Sequence, residues 1–216
     1  MKKWLIIILI VIIAGLIGVY IKYKPEINFF FYEQTVKNTQ DFKDRRDGLK
    51  QDYFNVYKRG EPDDYMNLGA KQFGLKDFKS AEQNFLHVIE KQPLNIVAMQ
   101  NLIRTYEYSG QLDKAEEWGL KLKEKYPTDI DTYMILGELY QVYMKKSEAD
   151  LANFYADAYK QTNKAVFILL EAGAYERDGN YRKAVELNEK WLSDPQNTQN
   201  RILIEGNVAE LKAKIK

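Results

Sequence analysis

Residues 65–93 read YMNLGAKQFGLKDFKSAEQNFLHVIEKQP, and several residues of this stretch recur along the chain at one fixed interval. Leu68, Leu102, Leu136 and Leu170 are spaced by 34 residues. Ala81, Ala115 and Ala149 share that spacing, and Ala184 follows after 35. Pro93 and Pro127 are 34 apart, and Pro195 lies 68 further on, twice the interval. Tyr106 and Tyr140 are again 34 apart, with Tyr175 next. A period of this length, held by several residue types in register, marks stacked supersecondary units rather than one globular core.

Each recurring position has a physical reason to exist. Leu and Tyr at helical spacing fill the seam between paired helices. The small residues Gly69 and Gly137 let those helices approach closely, and Ala81, Ala115 and Ala184 do the same from the second helix. Gly110 and Gly179 suit tight interhelical turns. Pro93 and Pro127 end one unit and begin the next.

These residues resemble the tetratricopeptide repeat, W-x2-L-G-x2-Y…A-x3-F…P. The first repeat carries Tyr65, Leu68, Gly69, Ala81, Phe85 and Pro93. The second carries Met99, Leu102, Tyr106, Gly110, Ala115 and Pro127, with Gly119 where Phe is usual. The third carries Tyr133, Leu136, Gly137, Tyr140 and Ala149; the fourth carries Ala172, Tyr175, Gly179, Ala184 and Pro195. The resemblance implies an all-α superhelix of about four helix-turn-helix repeats at 62–95, 96–129, 130–163 and 164–196. In the third repeat Ala149, Leu151 or Ala152 can each begin the packing ladder, so register is open across 145–165. Residues 197–216 are expected to form a capping helix with Ile202, Ile204, Val208, Leu211 and Ile215 on one broad apolar stripe.

The amino-terminal part is different in kind. Residues 4–21, WLIIILIVIIAGLIGVYI, contain no charge. At the rise of an α-helix, residues 4–23 cover about 30 Å, the thickness of a hydrocarbon core. Trp4, Tyr20 and Tyr23 sit where interfacial aromatics belong. A cleaved signal peptide has a shorter apolar region and a small-x-small site, which this segment lacks. Residues 1–24 therefore read as an uncleaved transmembrane anchor, oriented amino terminus inside and body outside. Residues 25–61 read as a juxtamembrane helical stalk or degenerate cap. Within it, Phe29-Phe30-Phe31-Tyr32 suits a membrane interface, Phe42, Leu49, Tyr53 and Tyr57 suggest an amphipathic helix, and Asp63 or Asp64 is the expected cap of the first repeat helix.

Composition restricts the chemistry. The chain of 216 residues has 32 Lys+Arg against 31 Asp+Glu, a balance unlike the basic excess of nucleic-acid binders. It contains no Cys and a single His, His87, which removes thiolate chemistry, zinc–thiolate sites and multi-His metal sites. No phosphate-binding Gly-rich motif is present and no Ser sits in a nucleophile-elbow setting. The expectation is no enzyme, no cofactor, no metal, no nucleic acid and no small-molecule substrate.

The family resemblance implies instead a partner groove along the first helix of each repeat. Carried over by position, it is lined by Met66 and Phe73; Gln100, Arg104 and Tyr108; Met134, Glu138 and Gln141; and Leu169 and Glu176. The partner is a protein, bound as a peptide or helix in the groove or through edge-on assembly contacts. The basic carboxylate clamp of some family members is absent, since its positions hold Met66, Ala70, Met134 and Glu138. Single-span proteins of this type resemble bacterial envelope factors, which implies a scaffold in the inner membrane with its body on the periplasmic side. A chaperone-like accessory factor of the export translocon is the alternative. A cytosol-facing organellar import receptor would need the opposite orientation.

Overall fold

The computed structural model describes residues 24–25, 28–29, 32–33 and 40–215, without side-chain detail at 40–45. The expected span over residues 4–23 lies outside these. Among the described residues no helix is long and apolar enough to cross a membrane.

The regular elements among those residues are helices: α1 Gln40–Lys58, α2 Pro62–Gly74, α3 Phe78–Lys91, α4 Ile96–Tyr108, α5 Leu112–Lys125, α6 Ile130–Glu138, α7 Glu148–Thr162, α8 Val166–Arg177, α9 Tyr181–Ser193 and α10 Arg201–Lys214. A π-helical turn, Leu139–Tyr143, extends α6. The chain forms two compact units, residues 1–98 and 99–216, divided within α4.

In the first unit, α1 presents Leu49, Tyr53 and Val56, one face at helical spacing, to Leu68 and Leu75. Tyr57, one turn after Tyr53, is 44% exposed at the edge of that face. Phe29 and Tyr32, expected at a membrane interface, are buried in this same cluster. Their rings pack on Tyr53 with centroids 5.6 and 5.2 Å away. Burial against Tyr53 and Leu49 takes both rings out of water and holds them to the first repeat. The cap of α2 also differs from expectation. Glu61 is the N-cap and Pro62 opens the helix, while Asp64 reaches back from the third position to accept from the Glu61 backbone N–H at 3.3 Å. Asp64 is buried and ion-paired with Arg59, whereas Asp63 is exposed.

Repeat one, α2 with α3, closes at Gly69. A Cβ there would lie 2.9 Å from Phe85 Cε1. Ala81, Phe85 and Val88 form the facing ridge.

In the second unit, Gly119 stands where the repeat pattern has an aromatic, and the reason is visible one helix later. A side chain at Gly119 would overlap Leu136 Cδ2, so Leu136 of α6 fills the space instead. Gly137 in turn takes Tyr155, whose Oη would lie 2.8 Å from an added Cβ. Ala149, the member of the alanine ladder, is exposed; Leu151, Ala152, Tyr155 and Ala158 carry the packing of α7. The cause is the wide turn that ends α6. Met144 N–H donates to Leu139 O and Lys146 N–H to Tyr140 O, both at 2.9 Å, so extra residues are accommodated before α7 starts at its Ser147 cap.

Left-handed residues close the turn between the paired helices of every repeat: Lys76, Gly110, Lys145 and Gly179, at spacings of 34, 35 and 34. At Gly110 and Gly179 the residue type meets the requirement. Lys76 and Lys145 adopt the same conformation with a Cβ present.

The last helix packs by Ile204, Val208, Leu211 and Ile215. Ile202, expected on this stripe, is 86% exposed. It lies two residues before Ile204, about 200° around the helix, and therefore faces away. Arg201 secures the first turn in its place, donating from Nη2 to the Leu192 carbonyl at 2.6 Å.

Candidate functional site

On the second unit, α4, α6, the π-helical turn, α7 and α8 enclose a groove of about 250 Å³. Its lining includes Arg104 from α4, Asp131, Met134 and Glu138 from α6, Gln141 and Val142 from the π turn, Tyr155 from α7 and Leu170 from α8. Four residues expected in the groove, Arg104, Met134, Glu138 and Gln141, thus meet at one place. The helices determine this locally. Residues 134, 138 and 142 follow one another at a four-residue step, and the opposite face of α6 is sunk in the core by Tyr133, Leu136 and Gly137. The widened turn then rotates Gln141, Val142 and Tyr143 relative to an uninterrupted helix.

Tyr108, also expected, follows Arg104 by one turn of α4 but is not part of this lining. It is exposed, and its ring centroid lies 6.1 Å from that of Tyr143 at an angle of 60°. Burial first, then interaction with the Tyr108 hydroxyl, pushes the Tyr143 hydroxyl up to about 12.

The remaining expected residues have other situations. Gln100 donates to Asp129 at 3.3 Å, tying α4 to the residue that caps α6. Leu169 packs with Ile168, Ala172, Leu187 and Trp191; its neighbour Leu170 reaches the groove instead. Glu176 accepts from Asn207 at 3.3 Å and so holds the final helix. Met66 and Phe73 are half-buried in the first unit, where Phe73 packs edge-on against Phe78 at 5.7 Å. His87 stacks on Tyr65 with centroids 3.9 Å apart.

The architecture has counterparts among solved structures. A tetratricopeptide repeat protein from Parabacteroides merdae superposes with a TM-score of 0.54 at 18% identity, over 85% of this chain and 74% of its own. MamA from Desulfovibrio magneticus, residues 41 to the end, gives 0.53 at 14% identity over 82% of this chain and 97% of its own. Another MamA structure gives 0.51 at 23% identity, over 71% and 83% of the two chains. The fold is that of the tetratricopeptide repeat. No family model matches the chain, and no curated protein matches it in sequence.

Within this tetratricopeptide fold one buried acid of α4 escaped the sequence reading. Glu107 is 3% exposed, and its Oε1 has no hydrogen-bond partner. Burial, and then the charge of Glu138, push its carboxyl up to about 7, against the pull of Arg104. A signal was present. Glu107 follows Ile103 by four residues and so shares the core-facing side of α4, where a carboxylate is costly unless something pairs with it.

Proposed function

We propose that this protein is a non-enzymatic, membrane-anchored tetratricopeptide scaffold that holds a protein partner at the cell envelope. The observation that carries the reading is the groove of the second unit. Arg104 from α4, Met134 and Glu138 from α6 and Gln141 from the π turn line one solvent-open cleft of mixed apolar, amide and charged character. Such a lining suits a peptide or a helix face. Residues 4–21, apolar and free of charge, supply the anchor in this reading, with the repeat body on the extracytoplasmic side of a bacterial inner membrane. Confinement to the membrane plane raises the effective concentration of the groove, so modest affinity suffices.

The test is purification of the full-length protein from its native membrane in mild detergent after crosslinking. A small set of partners at fixed ratio is expected, and Met134→Glu should remove it. A broad, substoichiometric spread of exported polypeptides would overturn the scaffold reading in favour of a client-handling chaperone. Protease access to a carboxy-terminal tag in intact cells checks the orientation.

A further inference from the structure

The outer face of the last helix is built like the inner seam of a repeat. The interval of 34 residues carries Ile168 and Ala172 of α8 onto Ile202 and Gly206 of α10. The 35-residue step before the fourth repeat carries Tyr133 and Gly137 of α6 onto Ile168 and Ala172. In repeats one, three and four the second helix covers this pair. Phe85 of α3 presses on Gly69, and His87 stacks on Tyr65. Tyr155 of α7 presses on Gly137, and Phe154 meets Tyr133 with ring centroids 5.9 Å apart. Leu187 and Trp191 of α9 pack with Ile168 and Ala172. On α10 the pair faces water. Ile202 is 86% exposed, and among the described residues nothing comes within 4 Å of a Cβ built at Gly206.

The rest of that face agrees. At about 100° of turn per residue, Ile202, Gly206, Ala209 and Ala213 fall within about 60° of one another. All four are exposed and none is charged. Leu203, 69% exposed, flanks this stripe with Glu210 on one side, and Glu205 and Lys212 flank it on the other. A helix that closes a repeat array against water carries a polar outer face, and this one does not. A glycine inside a helix also weakens it relative to alanine, and a second helix approaching closely is what such a position accommodates.

We propose that α10 pairs antiparallel with α10 of a second copy of this chain, which supplies the covering helix for Ile202 and Gly206. The stripe is self-complementary in that orientation. About a two-fold axis near residue 208, Ile202 meets Ala213 of the second copy, large on small, and Gly206 meets Ala209, so the backbones come close. Glu205 comes opposite Lys212 of the second copy, and symmetry makes the pair twice. Within its own chain Glu205 pairs with Arg201 at 3.3 Å and Lys212 with Glu189 at 2.6 Å, yet the two side chains stay 54% and 56% exposed. Parallel pairing would set Ile202 on Ile202 and Glu205 on Glu205, losing both matches. A net charge of +1 leaves little repulsion between copies. One helix pair is smaller than a standard stable interface, so the dimer is a reversible one. The pairing uses neither the groove nor the anchor segment.

The test uses the full-length protein in mild detergent. Sedimentation equilibrium is expected to show a reversible dimer at micromolar concentration. Ile202→Glu should weaken it about tenfold or more, with the urea midpoint unchanged because the position is on the surface. Glu205→Lys should weaken it several-fold, and adding Lys212→Glu should restore it, a rescue that misfolding cannot mimic. The chain contains no Cys, so introduced ones report the orientation alone. On oxidation, Ile202→Cys should crosslink to Ala213→Cys in a mixture of the two and not to itself. A monomer throughout the micromolar range, a dimer that Ile202→Glu leaves unchanged, or self-crosslinking of Ile202→Cys in preference to the mixed pair would overturn the proposal. A photo-crosslinker at Ala209 in native membranes that joins a different protein, and not a second copy, would overturn it as well and assign the face to a foreign helix.

Discussion

Repeat one and repeat three begin from the same device and finish differently. In both, a Gly on the first helix is pressed by an aromatic on the second, Gly69 by Phe85 and Gly137 by Tyr155. The aromatic lies 16 residues after the Gly in repeat one and 18 after it in repeat three. Repeat one turns through a short connection closed by Lys76, and its alanine ladder holds, with Ala81 fully buried. Repeat three inserts the π-helical turn Leu139–Tyr143, abandons Ala149 and rebuilds the seam on Ala152. Close packing of the two helices is therefore the conserved physical demand, and sequence register yields to it. The same insertion brings Gln141 and Val142 to the groove, so the irregular repeat is also the one that shapes the candidate site.

The largest test of the shared device is removal of its aromatic. Phe85→Ala and Tyr155→Ala should each cost about 3–5 kcal/mol in urea unfolding of the full chain in detergent. A cost for Tyr155→Ala below about 1 kcal/mol would show that repeat three is not closed as repeat one is.

The acid beside the irregular turn comes next. Glu107 has a folded-state value of about 7 against the ordinary 4.5, so the folded protein holds this proton more tightly than the unfolded chain. Its contribution to stability is present below pH 4.5 and is lost as pH rises through 7, a fall on the order of 3 kcal/mol. Glu107→Gln should flatten that portion of the stability–pH curve and leave the protein more stable than the parent at pH 8. An unchanged slope would mean that the carboxyl is solvated.

Register in repeat three can be read from a pair of small-to-large changes. Ala152→Leu should cost about 1–3 kcal/mol by overpacking, while Ala149→Leu stays within about 0.5 kcal/mol. The reverse order would restore the unbroken alanine ladder. The smallest effect concerns the turns. Lys76→Gly and Lys145→Gly relieve a left-handed Cβ and should each gain about 1 kcal/mol, visible as a raised urea midpoint.

Much of the fold was legible because a repeat array announces itself by period. Leu68, Leu102, Leu136 and Gly69 occupy positions whose packing role follows from helical geometry alone, and the positive φ of Gly110 and Gly179 follows from the turn they serve. The C-terminal stripe was legible except at Ile202, where apolar character suggested burial that the helical angle forbids. Of the candidate site, the residues spaced along one helix face, Met134 and Glu138, could be placed from sequence. Leu170 in place of Leu169, and Val142, could not be, because the π turn and the repeat-four shift change angle without changing composition.

Sequence by itself determined the helical period, the small residues at the seams and the charge-free segment at residues 4–21, since each depends on local spacing and residue type. Tertiary structure alone decided that Phe29 and Tyr32 belong to the core of the first unit, that Gly119 makes room for Leu136, and that Glu107 is buried beside Glu138. Those outcomes depend on which side chain from a distant segment fills a given space, and close packing settles that only when the helices meet.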